Sequence, residues 1–228
     1  MSAGWYPLAL ADGIEPGTSA GTQLFGKELV VWRDAGGAAH VWEDRCPHRG
    51  MRLSFGFVRG DRIACLYHGW QFDGAGQCRA IPAHPHLDVP ETIKVATYRV
   101  AERAGVIWAA DAHTEAPEPA ARDALTPIRS LYVDRPVAAV RAALAGAGFP
   151  GADGAPLPFA GDAGGLLAFG APEPVLFAAL QPFAAGRTAL HILAVGAPAA
   201  EDRVALAGAA EVLRRALEGA SALAEAAA

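Results

Sequence analysis

The stretches "CPHRG" at 46–50 and "CLYHGW" at 65–70 decide how the first half of this chain is read. Each presents a cysteine, a histidine and a glycine, and 16 residues lie between His48 and Cys65. The chain has only three cysteines, so the pattern claims two of them. Thiolate and imidazole are soft to borderline ligands, which suit zinc or iron–sulfur rather than magnesium or calcium. Zinc would gather all four groups around one tetrahedral centre. The spacing fits a different arrangement better. Each loop, C-x-H and then C-x2-H, supplies one thiolate and one imidazole, so two loops can give two thiolates to one iron and two imidazoles to another. Gly50 and Gly69 are expected to let backbone amides approach the sulfurs.

Composition narrows what the rest can be. A chain of 228 residues has room for one domain and a smaller second one, and 52% hydrophobic residues suffice for packed cores. The net charge of -5 and the lack of any Lys/Arg run exclude a nucleic-acid partner as the working reading. The N-terminal MSAGW has no basic stretch followed by an apolar run, so no signal peptide is expected. Pro, Gly and charges interrupt every apolar segment before it reaches the ~18 residues of a membrane helix. The expected placement is cytoplasmic. Few cysteines there point to metal or redox chemistry rather than a disulfide framework.

Short apolar runs and glycine turns predict β-structure over residues 22–110. Glu28–Trp32 and His40–Trp42 flank the turn DAGG at 34–37, and Trp70–Phe72 and Gln77–Arg79 flank DGAG at 73–76, giving two hairpins. Ile93–Val100 and Val106–Trp108 read as further strands. A small antiparallel sandwich or barrel is expected, with the two loops held on it. Pro117, Pro119 and Pro127 mark residues 113–127 as a linker. Beyond it, Pro136 opens a helix over 137–144 that Gly146, Gly148 and Pro150 end. Residues 148–165 read as a loop. Val175–Phe183 and Thr188–Val195 pair as antiparallel strands around AAG at 184–186. Leu206, Ala210, Leu213 and Leu217 recur at helical spacing in a final amphipathic helix, whose Ala-rich end is expected to fray.

The segment "CPHRGMRLSFGFVRGDRIACLYHGWQFDGAGQC" at 46–78 resembles the cluster-binding segment of the Rieske non-haem iron oxygenases. It is less similar to the Rieske protein of the cytochrome bc complex. There, extra cysteines follow the ligand motifs and form a disulfide; here those places hold Met51 and Trp70. Text from Trp5-Tyr6-Pro7 to Ile81-Pro82-Ala83 continues the resemblance, which covers residues 1–112. It implies one [2Fe–2S] cluster per chain, with Cys46 and Cys65 on one iron and His48 and His68 on the other. It also implies a Rieske domain over 1–112 and, over 128–228, a small α+β domain resembling a truncated helix-grip fold.

A complete oxygenase subunit of this family holds a mononuclear iron in its helix-grip domain, through two histidines and a carboxylate. The matching Asp, His and His positions fall at about Ala145, Gly148 and Asp153. No histidine occurs between His113 and His191, so no pair of imidazoles can be assembled there. Asp202, in AEDRVALAGAAEVL, matches the family's late carboxylate but also reads as an acid favoured by a helix N-terminus. No catalytic residue is therefore assigned.

The remaining candidates have plainer readings. Cys78 is a packing thiol, His84 and His86 belong to an extended loop, and His40 and His191 are structural or surface residues on strands. The five tryptophans belong to the core, with Trp70 kept as a shield for the cluster loop. Arg49 faces either a partner or a structural acid. The favoured reading is an electron-transfer protein that accepts electrons from a reductase or ferredoxin and serves an acceptor such as an oxygenase partner subunit, with oligomers allowed. The alternatives are a ring-hydroxylating or demethylating oxygenase component acting on a small organic substrate, and a regulatory subunit whose cluster senses redox state.

Overall fold

The computed structural model describes residues 4–122 and 124–225. It divides into two compact units. One holds the chain up to Glu102 together with Ile107–Pro117, and the other holds Arg103–Val106 together with the chain from Glu118 on.

The first unit is built of short antiparallel strands. β1 (Trp5–Leu10), β2 (Ser19–Leu24), β3 (Lys27–Arg33) and β4 (Ala39–Glu43) open it. β2, β3 and β4 form one sheet, in which Val30 faces Trp42 and Val31 faces Val41. The run Leu29–Val30–Val31–Trp32 is buried on both faces. This explains why it reads as continuous rather than alternating. Leu29 and Val31 pack with Leu8, Val41 and Ile107, while Val30 and Trp32 pack with Trp42, Leu53, Ile63 and Phe72.

A second sheet carries the loops of interest. β5 (Phe57–Arg59) and β6 (Arg62–Ala64) make a tight hairpin, and β7 (Gln71–Asp73) and β8 (Cys78–Ala80) make the next. Ala64 pairs with Phe57, so the hairpin returns the chain beside the first loop just before Cys65. A Cβ at Gly56 would stand 2.2 Å from the Ala64 carbonyl oxygen, so the approach of these segments requires glycine. β9 (Arg99–Arg103) and β10 (Val106–Ala110) complete a three-stranded sheet with β1 at one edge. Among the described residues the sheets do not close into a barrel. The strand expected over 93–100 is also shorter than expected. Lys94 and Thr97 make only isolated bridges, to Gln77 and Trp42, and regular pairing starts at Arg99.

The second unit is a five-stranded antiparallel sheet with two helices. β11 (Leu125–Val133) begins within the proline-rich stretch. α1 (Val137–Ala147) follows, with Pro136 at its N-cap, and ends at Gly148, whose φ is 76°. The expected loop over 148–165 is instead largely structured. It contains the small β12 (Phe149–Pro150) and β13 (Pro156–Leu157) pair and all of β14 (Phe159–Ala163). β14 turns through Gly164 and Gly165, both at positive φ, into β15 (Leu166–Phe169). β16 (Leu176–Ala184) and β17 (Arg187–Val195) pair around Ala185–Gly186, as the sequence predicts. The order is β11-β17-β16-β15-β14.

The final helix, α2 (Ala200–Glu225), packs Leu206, Ala210 and Leu217 into one core with Val140, Leu144, Phe169, Leu190 and Ile192. The Ala-rich last residues, expected to fray, lie outside the described residues. No helix among the described residues is long and apolar enough to cross a membrane.

Candidate metal centre

The two loops share one backbone frame. Cys46 N–H donates to Met51 O at 2.8 Å and Gly50 N–H to Cys46 O at 2.8 Å. In the second loop, Cys65 N–H donates to Trp70 O at 2.9 Å and Gly69 N–H to Cys65 O at 3.0 Å. Each loop is thus a six-residue turn with its cysteine first and its glycine fifth. Gly50 and Gly69 have φ of 73° and 69°, a region other residues enter with strain. The glycines serve the turn itself, a reason additional to the amide approach expected from sequence. Within the shared frame, the histidine stands two places after Cys46 but three after Cys65. The two imidazoles therefore leave equivalent turns at different points.

The side chains sort into two pairs. Cys46 and Cys65 are 2% and 3% exposed, and their sulfurs lie within hydrogen-bonding reach of each other. Burial pushes the Cys46 thiol up to about 11, opposed by the His48 and Arg49 backbone amides that approach its sulfur and reinforced by Cys65. The Cys46 thiol thus stays protonated near neutral pH unless a cation displaces the proton. The rings of His48 and His68 lie 4.5 Å apart. Desolvation holds the His48 pKa below its usual value, with the charges of His68 and Arg49 acting the same way. The ring is therefore neutral, as a ligand must be. Its Nδ1 is buried without a hydrogen-bond partner, which is costly unless something accepts its lone pair.

This chemistry fits a binuclear cluster. Among the described residues, no three His, Cys, Asp or Glu side chains are placed to hold one metal ion. A single tetrahedral zinc would draw all four groups to one point. A thiol pair beside an imidazole pair matches two irons served separately.

The surroundings protect one side and open the other. Trp70 is stacked on His48, with centroids 4.4 Å apart and planes 2° apart, which agrees with the shielding role expected for it. Tyr67, not singled out from sequence, lies 3.8 Å from His68 and is 58% exposed. Its place between two motif residues was the only available signal. Cys78 is buried and its Sγ meets the Ala80 carbonyl at 3.8 Å, in keeping with packing. His84 and His86 stand on an exposed loop. His40 stacks on Trp32 at 4.2 Å and meets Asp34 at 3.2 Å, a structural arrangement.

Known proteins agree with this reading of the first unit. Residues 4–99 match the model of the Rieske [2Fe-2S] domain. Residues 4–99 are a Rieske domain. The chain is also 39% identical over 105 residues to Oxidoreductase NdmD of Pseudomonas putida, a match covering 46% of this chain and 18% of that protein. The matched segment spans less than a third of the curated relatives' length. Among solved structures, Pseudomonas putida CBB5 NdmA is similar with a TM-score of 0.69 at 22% identity, covering 95% of this chain and 81% of that one. Dicamba Monooxygenase with non-heme iron and dicamba gives a TM-score of 0.71 at 21% identity, with coverage of 98% and 88%. These likenesses show a common fold. The expected kinship of the cluster segment with the Rieske oxygenases holds, as does one [2Fe–2S] cluster per chain.

In the second unit, the positions that the resemblance aligns with an iron site have ordinary structural places. Ala145 is an exposed residue of α1. Gly148 is the turn that ends the helix, and a Cβ there would lie 2.3 Å from the Leu157 carbonyl oxygen. No histidine fits without rebuilding the turn. Asp153 accepts from Ala155 N–H at 2.9 Å, and Asp202 stands exposed in the first turn of α2. The structure brings these two aspartates to one cavity. His191 is occupied elsewhere, bonded to Ser130 and Gln181.

Proposed function

We propose that Cys46 and Cys65 ligate one iron of the cluster and His48 and His68 the other, and that the chain serves as a one-electron carrier. The cluster supplies reversible one-electron chemistry, and neutral histidines on one iron raise its potential above that of an all-cysteine cluster. The protein's share is to hold and insulate. The matched turns fix the ligands, the buried thiols exclude water, and Trp70 covers His48. Exposed His68 and Tyr67 leave one side open for an electron partner. The observation that supports this most is the sorting of thiols and imidazoles into two adjacent pairs.

In this reading a reductase or ferredoxin supplies electrons, and the acceptor is a separate protein, with an oxygenase subunit as the leading candidate. The site of action proposed is the cytoplasm. The second reading, an oxygenase component with its own mononuclear iron, draws on Asp153 and Asp202 meeting in one cavity. The names of relatives such as methylxanthine N1-demethylase NdmA and 4beta-methylsterol monooxygenase suggest the kind of chemistry. Iron, acid-labile sulfide and electron uptake separate the two. The carrier holds two irons and two sulfides and takes one electron per chain, whereas an oxygenase holds a third iron.

A further inference from the structure

Ser130, His191 and Gln181 stand on three neighbouring strands of the second unit. Ser130 lies on the edge strand β11 and pairs across the ladder with His191 on β17, and Gln181 follows on β16. The contacts run inward from water. Ser130 is exposed, whereas His191 and Gln181 are buried. Ser130 Oγ meets His191 Nδ1 at 2.7 Å, and His191 Nε2 meets Gln181 Oε1 at 2.9 Å. The amide oxygen accepts, so Nε2 carries the ring hydrogen and Nδ1 accepts from the serine hydroxyl. A hydroxyl that donates to an imidazole, whose far nitrogen a third group holds, is the arrangement of an activated nucleophile. Ser130 also lines a cavity of about 340 Å³ shared by β11, Arg187 and α2.

We propose that Ser130 is an acylation site, a nucleophile that takes the acyl group of a small uncharged activated ester, with His191 as its base and Gln181 as the positioning residue that fixes the ring. Ser130 Oγ bonds to the carbonyl carbon while its proton passes to His191 Nδ1. The bond from that carbon to the phenol oxygen or thiol sulfur breaks, and the leaving group takes the proton from His191. The inference does not depend on the cluster.

Base strength, charge and size together select this class. Burial holds His191 down to about 4, so the ring is neutral and ready to accept a proton, but it is a weak base. Gln181 fixes the tautomer without the negative charge that would stabilise an imidazolium. Such a base assists only where the leaving group departs readily, which favours phenyl and thio esters over amides. It also activates water poorly, so the acyl group stays on Ser130. The charged lining is balanced. Arg187 pairs with Asp134, Arg214 pairs with Glu211 and Glu218, and Arg129 donates to the Ala207 carbonyl. Three cations and three carboxylates leave no net charge to select an ion. The volume lies at the low end of the roughly 300–1,000 Å³ of small-molecule sites. Because all three groups sit on strands, their geometry is set before a substrate arrives.

Treatment of the cluster-loaded full chain with p-nitrophenyl acetate, read by peptide mass spectrometry, tests the proposal. Ser130 should gain an acetyl group at least about tenfold faster than any other serine of the chain, the low side of what a positioned base supplies. Acetanilide, which carries the same acyl group on a poor leaving group, should leave Ser130 unmodified. His191→Gln keeps the hydroxyl and should slow acetylation of Ser130 by about the same factor. Gln181→Leu should slow it too, and ¹⁵N NMR should show His191 no longer held with its hydrogen on Nε2. Acetylation of Ser130 no faster than that of the other serines overturns the proposal. So does an unchanged rate in folded His191→Gln, equal modification by acetanilide, or a ring hydrogen on Nδ1 in the unaltered chain. The comparison among serines and the amide control use the unaltered chain, so they decide the matter even if a variant fails to fold.

Discussion

Acidification should act on the second unit through His191. This ring is 3% exposed, and loss of solvation alone holds its pKa down to about 4, against 6.5 in water. Its Nε2 faces Gln181 Oε1 at 2.9 Å and its Nδ1 faces Ser130 Oγ at 2.7 Å. An amide oxygen only accepts, so Nε2 carries the hydrogen and Nδ1 accepts from the serine hydroxyl. Both ring nitrogens are satisfied in the neutral form. The folded unit therefore takes no proton here until the pH nears 4, while the unfolded chain takes one below about 6.5. Between these values the unfolded state holds more protons, so stability declines as pH falls. The contribution is fully present above the upper value and gone below the lower one. The gap of about 2.5 pH units, at about 1.4 kcal/mol each, amounts to roughly 3 kcal/mol. Set against a typical total of about 5–15 kcal/mol, that is a large fraction. Native-state hydrogen exchange of the β16 and β17 amides, corrected for intrinsic rates, reads the loss directly. His191→Gln removes the titrating group, so its stability should change less between pH 7 and 4.5. Equal losses in both proteins, or an NMR titration of His191 near 6.5, would refute the reasoning.

Three further outcomes follow from the same structure. His48→Cys or His68→Cys should change the visible spectrum and lower the potential, by placing a charged thiolate where a neutral imidazole stood, whereas Cys78→Ser should leave both nearly intact. Cluster loss in Cys78→Ser, seen by absorbance, would show the ligand set to be wrong. Gly56→Ala forces a Cβ against the Ala64 carbonyl and should cost at least about 1–3 kcal/mol, with faster cluster loss on heating; an unchanged melting temperature contradicts this. With a reductase and oxygen, the chain alone should give no hydroxylated product across aromatic and alkyl substrates. Stoichiometric product would restore the oxygenase reading.

What the sequence discloses here follows from how local each signal is. Cys46, His48, Cys65 and His68 fall in two short turns, so they stand out as candidate ligands without knowledge of the sheet around them. The β16–β17 hairpin is legible for the same reason, with a glycine turn between two apolar runs. The 148–165 segment was harder. Gly148, Gly151, Gly154 and three prolines suggest loop, yet β14 pairs with β15 through Gly164 and Gly165, a turn signal that the glycine-rich background hides. Residues 93–100 alternate like a strand, but those before Arg99 make only isolated bridges, at Lys94 and Thr97. The pairing of Ser130 with His191 spans 61 residues and depends on the β11–β17 register. The meeting of Asp153 with Asp202 likewise depends on how α2 crosses the sheet, which no local pattern records.

The ligand assignment is tested most directly by pulsed EPR of the reduced protein labelled with ¹⁵N-histidine. The account predicts two distinct histidine nitrogen couplings to the cluster, one of which disappears in His48→Cys and the other in His68→Cys. Absence of histidine coupling, or two couplings that survive both substitutions, would contradict it.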